Sequence, residues 1–190
     1  MREIVFVTHN KGKAKSAEKY FKDLKISTYE YELDEPRSDD IKVIATAKVK
    51  EAYEVVKKPC MAMDADFHIV ALNGFPKAFV NFALDTIGVD GILKLMDKVE
   101  DRTCYFRQCI AYFDGKEISY YWGESRGTLA TEKRGIDTEE KWSDLWYIFI
   151  PKNCTKTLAE MNEFEREARK KVDGSTNALE EFAKCYKKMK

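Results

Sequence analysis

The chain has 190 residues, 44% of them hydrophobic and 13% aromatic, enough for one packed domain, or two closely joined lobes, without cross-links. Lysine and arginine number 33, as do aspartate and glutamate, so no overall field draws the molecule to nucleic acid or an anionic membrane. Any anionic ligand must be captured by local charge.

Ile4 to Val7 is a continuous apolar run, as expected for a strand buried on both faces, and it opens into the polar turn Thr8-His9-Asn10-Lys11-Gly12-Lys13. A helix follows, with Ala14, Ala17, Phe21 and Leu24 on one side and Lys15, Lys19 and Lys22 on the other. Residues 26 to 33 alternate as a second strand. Ser38 or Asp39 can cap a second helix whose apolar stripe is Ile41, Ile44, Ala45, Val49, Ala52 and Val56, ending before Pro59. Strands are expected from Cys60 to Asp64 and from Phe67 to Leu72, then a turn at Asn73-Gly74-Phe75-Pro76 and a short helix over 88 to 98.

Further on, residues 103 to 113 and 116 to 122 flank Asp114-Gly115, a link suited to a type I′ hairpin because both central positions need positive φ. Leu145 to Ile150 reads as an aromatic strand before Pro151, and helical patterns occupy 157 to 171 and 175 to 188. No repeat, low-complexity tract or linker interrupts the chain, so 1 to 190 reads as a single domain. No apolar stretch approaches the roughly 20 residues of a membrane span. With no targeting signal, a cytoplasmic protein without membrane or nucleic-acid partners is expected.

Two constellations carry chemistry. Where the first helix begins, unpaired N–H groups and partial positive charge lie beside Thr8, Asn10, Lys11 and Lys13, so this turn either cradles phosphate or is an ordinary solvated turn with basic residues. Asp64 and Asp66, two apart at a strand end, project to one face. They are either hard-cation ligands, with Glu35 as a third carboxylate, or solvated acids at a strand-to-turn junction. The aromatics Trp142, Trp146, Tyr147 and Phe149 fit either a base-stacking surface or a buried strand.

The five cysteines are odd in number and contain no C-x-x-C pair, which points to reduced thiols rather than a disulfide framework or zinc. With only His9 and His68 as histidines and no nucleophile elbow, covalent catalysis has no support.

These pieces occur in the order found in the inosine triphosphate pyrophosphatase family, which the chain resembles nearly end to end. Residues 4 to 13, IVFVTHNKGK, are similar to the family's I-V-x-x-T-x-N-x-x-K, matching Thr8, Asn10 and Lys13 to its phosphate loop. Leu33-Asp34-Glu35 resembles L-P-E, whose glutamate is a metal ligand. Ala47-Lys48-Val49-Lys50 is similar to N-A-x-x-K and carries its lysine onto Lys50. Met63 to Phe67, followed by Ala71 to Pro76, resembles E-D-S-G-L followed by A-L-x-G-x-P-G, placing the catalytic aspartate on Asp64. Trp122-Gly123, Gly127 and Lys156 to Met161 agree with later signatures.

The departures are specific. Asp66 stands at the glycine of D-S-G, and Lys77 at the glycine after Pro76. Lys15 and Ser16 replace the usual glutamate of the first helix. Trp142-Ser143-Asp144-Leu145-Trp146 replaces F-G-[WY]-D-P. The purine-contacting K-N-x-x-S-H-R has no clear counterpart, with Arg166 or Arg169 standing in for its lysine and Asp173-Gly174-Ser175 falling where S-H-R would be.

The resemblance implies an α/β fold, a mixed twisted sheet flanked by helices with two lobes around a central cleft. It also implies a homodimer, with a nucleoside triphosphate as substrate. The expected catalytic residues are Asp64, Lys13 and Lys50. The expected metal ligands are Glu35, Asp64 and Asp66, holding Mg²⁺ with Mn²⁺ as a substitute. Substrate contacts are expected from Thr8, Asn10, Lys11, Lys13, Trp142, Asp144, Arg166 and Arg169, and the altered base-reading segments leave the preferred nucleobase open.

Overall fold

The computed structural model describes residues 3–21, 24 and 26–188. Its seven-stranded mixed sheet has the order β2-β1-β3-β5-β6-β7, with β4 pairing on β3, and is accompanied by helices, which is the expected α/β class. The chain divides into two compact units built from interleaved segments. The first takes the described residues up to Ala65, then Gln108–Gly123 and the stretch from Asn177 onward; the second takes Asp66–Arg107 and Glu124–Thr176.

In the first unit, β1 (Ile4–Val7) runs parallel to both β2 (Ile26–Tyr29) and β3 (Cys60–Ile69). A central parallel strand has no solvated face, which is why all four of its residues are apolar and buried. Helix α1 (Lys11–Phe21) buries Ala17 and Phe21, and Leu24 is buried just past its end, while Lys22 lies outside the described residues.

Helix α2 (Ile41–Val56) follows its apolar stripe. Its cap is Asp40 rather than Ser38 or Asp39: the Asp40 carboxylate accepts from Lys42 N at 2.8 Å, and Ser38 Oγ accepts from Asp40 N one step earlier. Lys57, in the left-handed conformation, ends the helix. Helix α7 (Ala178–Lys188) packs Phe182 against Phe21, Tyr112, Tyr121 and Tyr186, an aromatic cluster that closes this unit's core.

The second unit's core contains Phe67, Ile69, Ile92, Met96, Phe106, Leu145 and Phe149, all nearly or fully buried. Sequence patterning split residues 60 to 72 into two strands, whereas β3 is a single strand ending in a 3-10 turn at Val70–Leu72. β4 (Pro76–Lys77) follows a cis Phe75–Pro76 bond. Helix α3 (Val80–Thr86), not foreseen from the sequence, precedes α4 (Gly88–Leu95).

β5 (Thr103–Phe113) and β6 (Ile118–Leu129) are joined by four residues rather than a two-residue type I′ turn. The Asp114 carboxylate accepts from both Lys116 N and Glu117 N, so the side chain organises the turn and only Gly115 takes positive φ. The aromatic run at 145 is a 3-10 helix, Asp144–Tyr147, before the short strand β7 (Phe149–Pro151). Gly127 permits that pairing, because a Cβ there would stand 2.1 Å from Ile150 O. The pattern over 157 to 171 becomes two short helices, α5 (Glu163–Ala168) and α6 (Lys170–Asp173).

Candidate active site

The phosphate-loop candidate forms where β1 passes into α1. Asn10 caps the helix, its Oδ1 accepting from Lys13 N at 2.9 Å, and Thr8 Oγ1 accepts from Asn10 N at 3.2 Å. No acidic residue lies in the first turn of α1, so nothing local cancels the partial positive charge of that end. Lys11 is exposed, and His9 pairs loosely with Glu30 on the surface. Lys13 instead turns inward and donates to Met63 O at 3.2 Å, which brings its ammonium to the residue before Asp64. Burial lowers the Lys13 pKa from the ordinary lysine value; Asp64 and Glu35 oppose that shift and Lys48 adds to it.

Lys48 is the centre of the site. Its Nζ donates to Asp64 Oδ1 at 2.9 Å and, in a shorter bond, to Glu35 Oε1, so one buried ammonium joins carboxylates from two separate chain segments. Burial pulls the Lys48 pKa down, but the charges of Asp64 and Glu35 and their hydrogen bonds outweigh it, and the net shift is upward. The Asp64 side chain is 8% exposed and that of Glu35 49%, so the pair has one interior and one solvent-facing acid.

The α2 lysine that reaches these carboxylates is Lys48, and Lys50, onto which the motif resemblance carried the family's lysine, does not, for a reason of helix phase. Lys48 continues the buried face of α2 through Ile41, Ile44, Ala45 and Ala52, whereas Lys50, two residues on, points to solvent. A charged residue within an apolar stripe was the available sequence signal.

Asp66, the third expected cation ligand, has its oxygens engaged by Arg107 and His68. It is fully buried in the second unit, where Arg107 Nε reaches both its oxygens at 3.2 Å, Arg107 Nη2 binds Oδ2, and His68 Nε2 lies 2.8 Å from Oδ2. His68 stacks on Tyr105 at 4.7 Å, and the Arg126 guanidinium lies 5.2 Å from the Tyr105 ring centre. Arg107 and His68 were not among the expected site residues; Arg107 is 41 positions from Asp66, and no local pattern links them.

The remaining candidates also lie in the second unit. Trp142 packs edge-on to Trp146 at 6.4 Å, and Arg166 covers Trp146 while pairing with Glu140, so these three form one cluster. Asp144 pairs with Lys141 at 2.7 Å. Arg169 joins a different group, in which its Nη1 contacts Ser125 Oγ and Ser175 Oγ, each at 3.2 Å, and the buried Asp173 carboxylate.

Glu35 and Asp64 offer the oxygen donors that Mg²⁺ takes, and Mg²⁺ needs only one or two carboxylates when phosphates and water complete its shell. The donor set fits such an ion. Among the described residues no three His, Cys, Asp or Glu side chains are grouped to hold a metal by themselves. No helix among the described residues is long and apolar enough to cross a membrane.

A profile of the Ham1 family matches residues 4–185. The chain is 33% identical over 186 residues to the dITP/XTP pyrophosphatase of Thermococcus kodakarensis, covering 97% of each chain. It is 36% identical over 189 residues to the dITP/XTP pyrophosphatase of Methanosarcina acetivorans, covering 98% of each. Its fold matches that of a HAM1 protein from Coxiella burnetii with a TM-score of 0.81 at 21% identity, over 99% of this chain and 100% of that one. These matches bear out the resemblance read from the motifs. Because they span β1, α2, β3 and nearly everything after them, the chain belongs to the Ham1 family.

Proposed function

We propose that this protein hydrolyses non-standard purine nucleoside triphosphates, dITP, XTP and ITP, to the monophosphate and pyrophosphate, and so cleanses the nucleotide pool. Relatives named dITP/XTP pyrophosphatase at 33% and 36% identity support the substrate class. The observation that carries the chemistry is Lys48 joined to Asp64 and Glu35, with the inward Lys13 beside them.

In this reading the N-terminus of α1, with Thr8, Asn10 and Lys11, receives the phosphates through the partial positive charge of that helix end. Lys13 and Lys48 offset triphosphate charge in a site where burial strengthens each electrostatic contact. Asp64 accepts a proton from water as the water oxygen attacks the α-phosphorus. The bond from that phosphorus to the bridging oxygen breaks, and pyrophosphate leaves. Glu35 and Asp64 would hold Mg²⁺, or Mn²⁺ in its place, while Asp66 is committed to Arg107 and His68. When bound, the ion supplies charge stabilisation on the departing pyrophosphate.

A second reading, the same chemistry with a different base preference, has one observation behind it. Asp173 and Ser175, which fall where the family's purine contacts would lie, are tied to Arg169 within the second unit. We also read the chain as cytoplasmic, which its five free cysteines support, and as a homodimer, which the motif resemblance supports.

The test is pyrophosphate release from dITP, XTP, ITP, dUTP, ATP and GTP with Mg²⁺. Release confined to the first three is expected. Release from dUTP alone would move the base preference, and binding without release from any would overturn the assignment as an enzyme.

A further inference from the structure

Glu35 is carried by a segment, residues 30 to 40, that has no helix or strand of its own and is mostly exposed. Its position therefore depends on what grips it, because ordering each such residue costs roughly 1 to 2 kcal/mol of backbone entropy. Two side chains of α2 do so. Lys48 binds the Glu35 carboxylate, and Glu51, one turn further along, accepts a hydrogen bond from the backbone N–H of Asp34 at 2.9 Å. Residues three apart on a helix are neighbours on its surface, so one face of α2 holds both the side chain of Glu35 and the main chain beside it.

We propose that Glu51 is a positioning residue for Glu35: by gripping the Asp34 amide it keeps the loop in place while the Glu35 carboxylate exchanges Lys48 for a divalent cation. The two holds differ in kind. The Lys48 contact is to the carboxylate itself and weakens whenever that carboxylate turns to another cation. The Glu51 contact is to the backbone and persists through the exchange, so the loop need not be reordered each time the ion binds. Glu51 itself has no part in the proton transfer and touches no reacting atom in the mechanism above. The inference rests on the pyrophosphatase reading of the site.

The experiment compares Glu51→Ala with Glu51→Gln, which keeps an acceptor oxygen and loses only the charge. Amide hydrogen exchange is followed in peptides covering residues 30 to 40 of the metal-free protein, and Mg²⁺ is titrated against pyrophosphate release. Glu51→Ala should speed exchange in that segment about tenfold, with β1 and β3 unaffected, and raise the half-saturating Mg²⁺ about fivefold to tenfold. Its kcat at saturating Mg²⁺ should stay within about twofold of wild type, and Glu51→Gln should restore both readouts. Unchanged exchange in Glu51→Ala, or a Glu51→Gln protein that behaves like Glu51→Ala, would overturn the proposal. If the wild type releases no pyrophosphate, the functional reading fails, and the exchange measurement still decides whether Glu51 holds the loop.

Discussion

Two aspartates on one strand, Asp64 and Asp66, have opposite fates. Both are buried and both meet a cation, but Asp64 shares Lys48 with the solvent-facing Glu35, whereas Asp66 has both oxygens taken by Arg107 and one also by His68. A carboxylate whose cation is shared with a solvent-exposed competitor can change partners. One enclosed by a guanidinium fork and an imidazole cannot do so without leaving charge unpaired in the interior. Asp-x-Asp in the sequence thus yields one carboxylate whose cation has a second, solvent-facing partner and one whose two oxygens are both taken.

Neutralising each aspartate in turn gives the largest expected difference between them. Asp64→Asn should lower pyrophosphate release on the order of 10² to 10⁴-fold with little change in thermal melting; comparable loss in Asp66→Asn would erase the distinction. Next, Arg107→Met should destabilise the protein by about 3 kcal/mol in urea unfolding, the lower end for a buried carboxylate losing its partner, because Arg107 is itself partly exposed. If its urea midpoint matches wild type, the Asp66 cluster is not structural.

A smaller loss, about a hundredfold in kcat, is expected from Lys48→Met, while Lys50→Met should match wild type, as its exposed position requires. The reverse outcome would restore the motif assignment of Lys50.

The smallest effect is a pH shift. Because the Lys13 pKa is lowered, its ammonium is lost below the ordinary lysine range, so the alkaline limb of kcat/KM should fall there and move upward in Lys13→Arg, which stays charged. The stability sign is opposite. Between the lowered folded value and the ordinary unfolded one, the unfolded chain binds more protons, so stability rises with pH across that window and Lys13→Arg should remove the rise. Lys48, whose pKa is raised, contributes stability that is complete below the ordinary lysine value and is lost as pH passes above its folded one.

Much of the first unit was legible from residue order. Four apolar residues in a row made β1, the polar turn after it located α1, and the stripe of α2 followed helical spacing. Less was legible in the second unit. Its aromatic run at 145 has strand-like composition yet forms a 3-10 turn, because Ser143 Oγ accepts from Leu145 N and starts the chain turning there. Helix α3 has only seven residues and exposes Phe82, so its apolar pattern carried no clear period.

Residue spacing and motif order were enough to read the fold class, the family and the segments that bear acids and bases, because each of these is local or follows chain order. Which charges meet was set by packing in three dimensions. Whether Lys48 or Lys50 reaches the carboxylates depends on the rotation of α2 against β3, and whether Asp66 is open to a ligand depends on Arg107, 41 residues away. Electrostatic partners are selected by distance and burial in space, and neither is written in the spacing of residues along the chain.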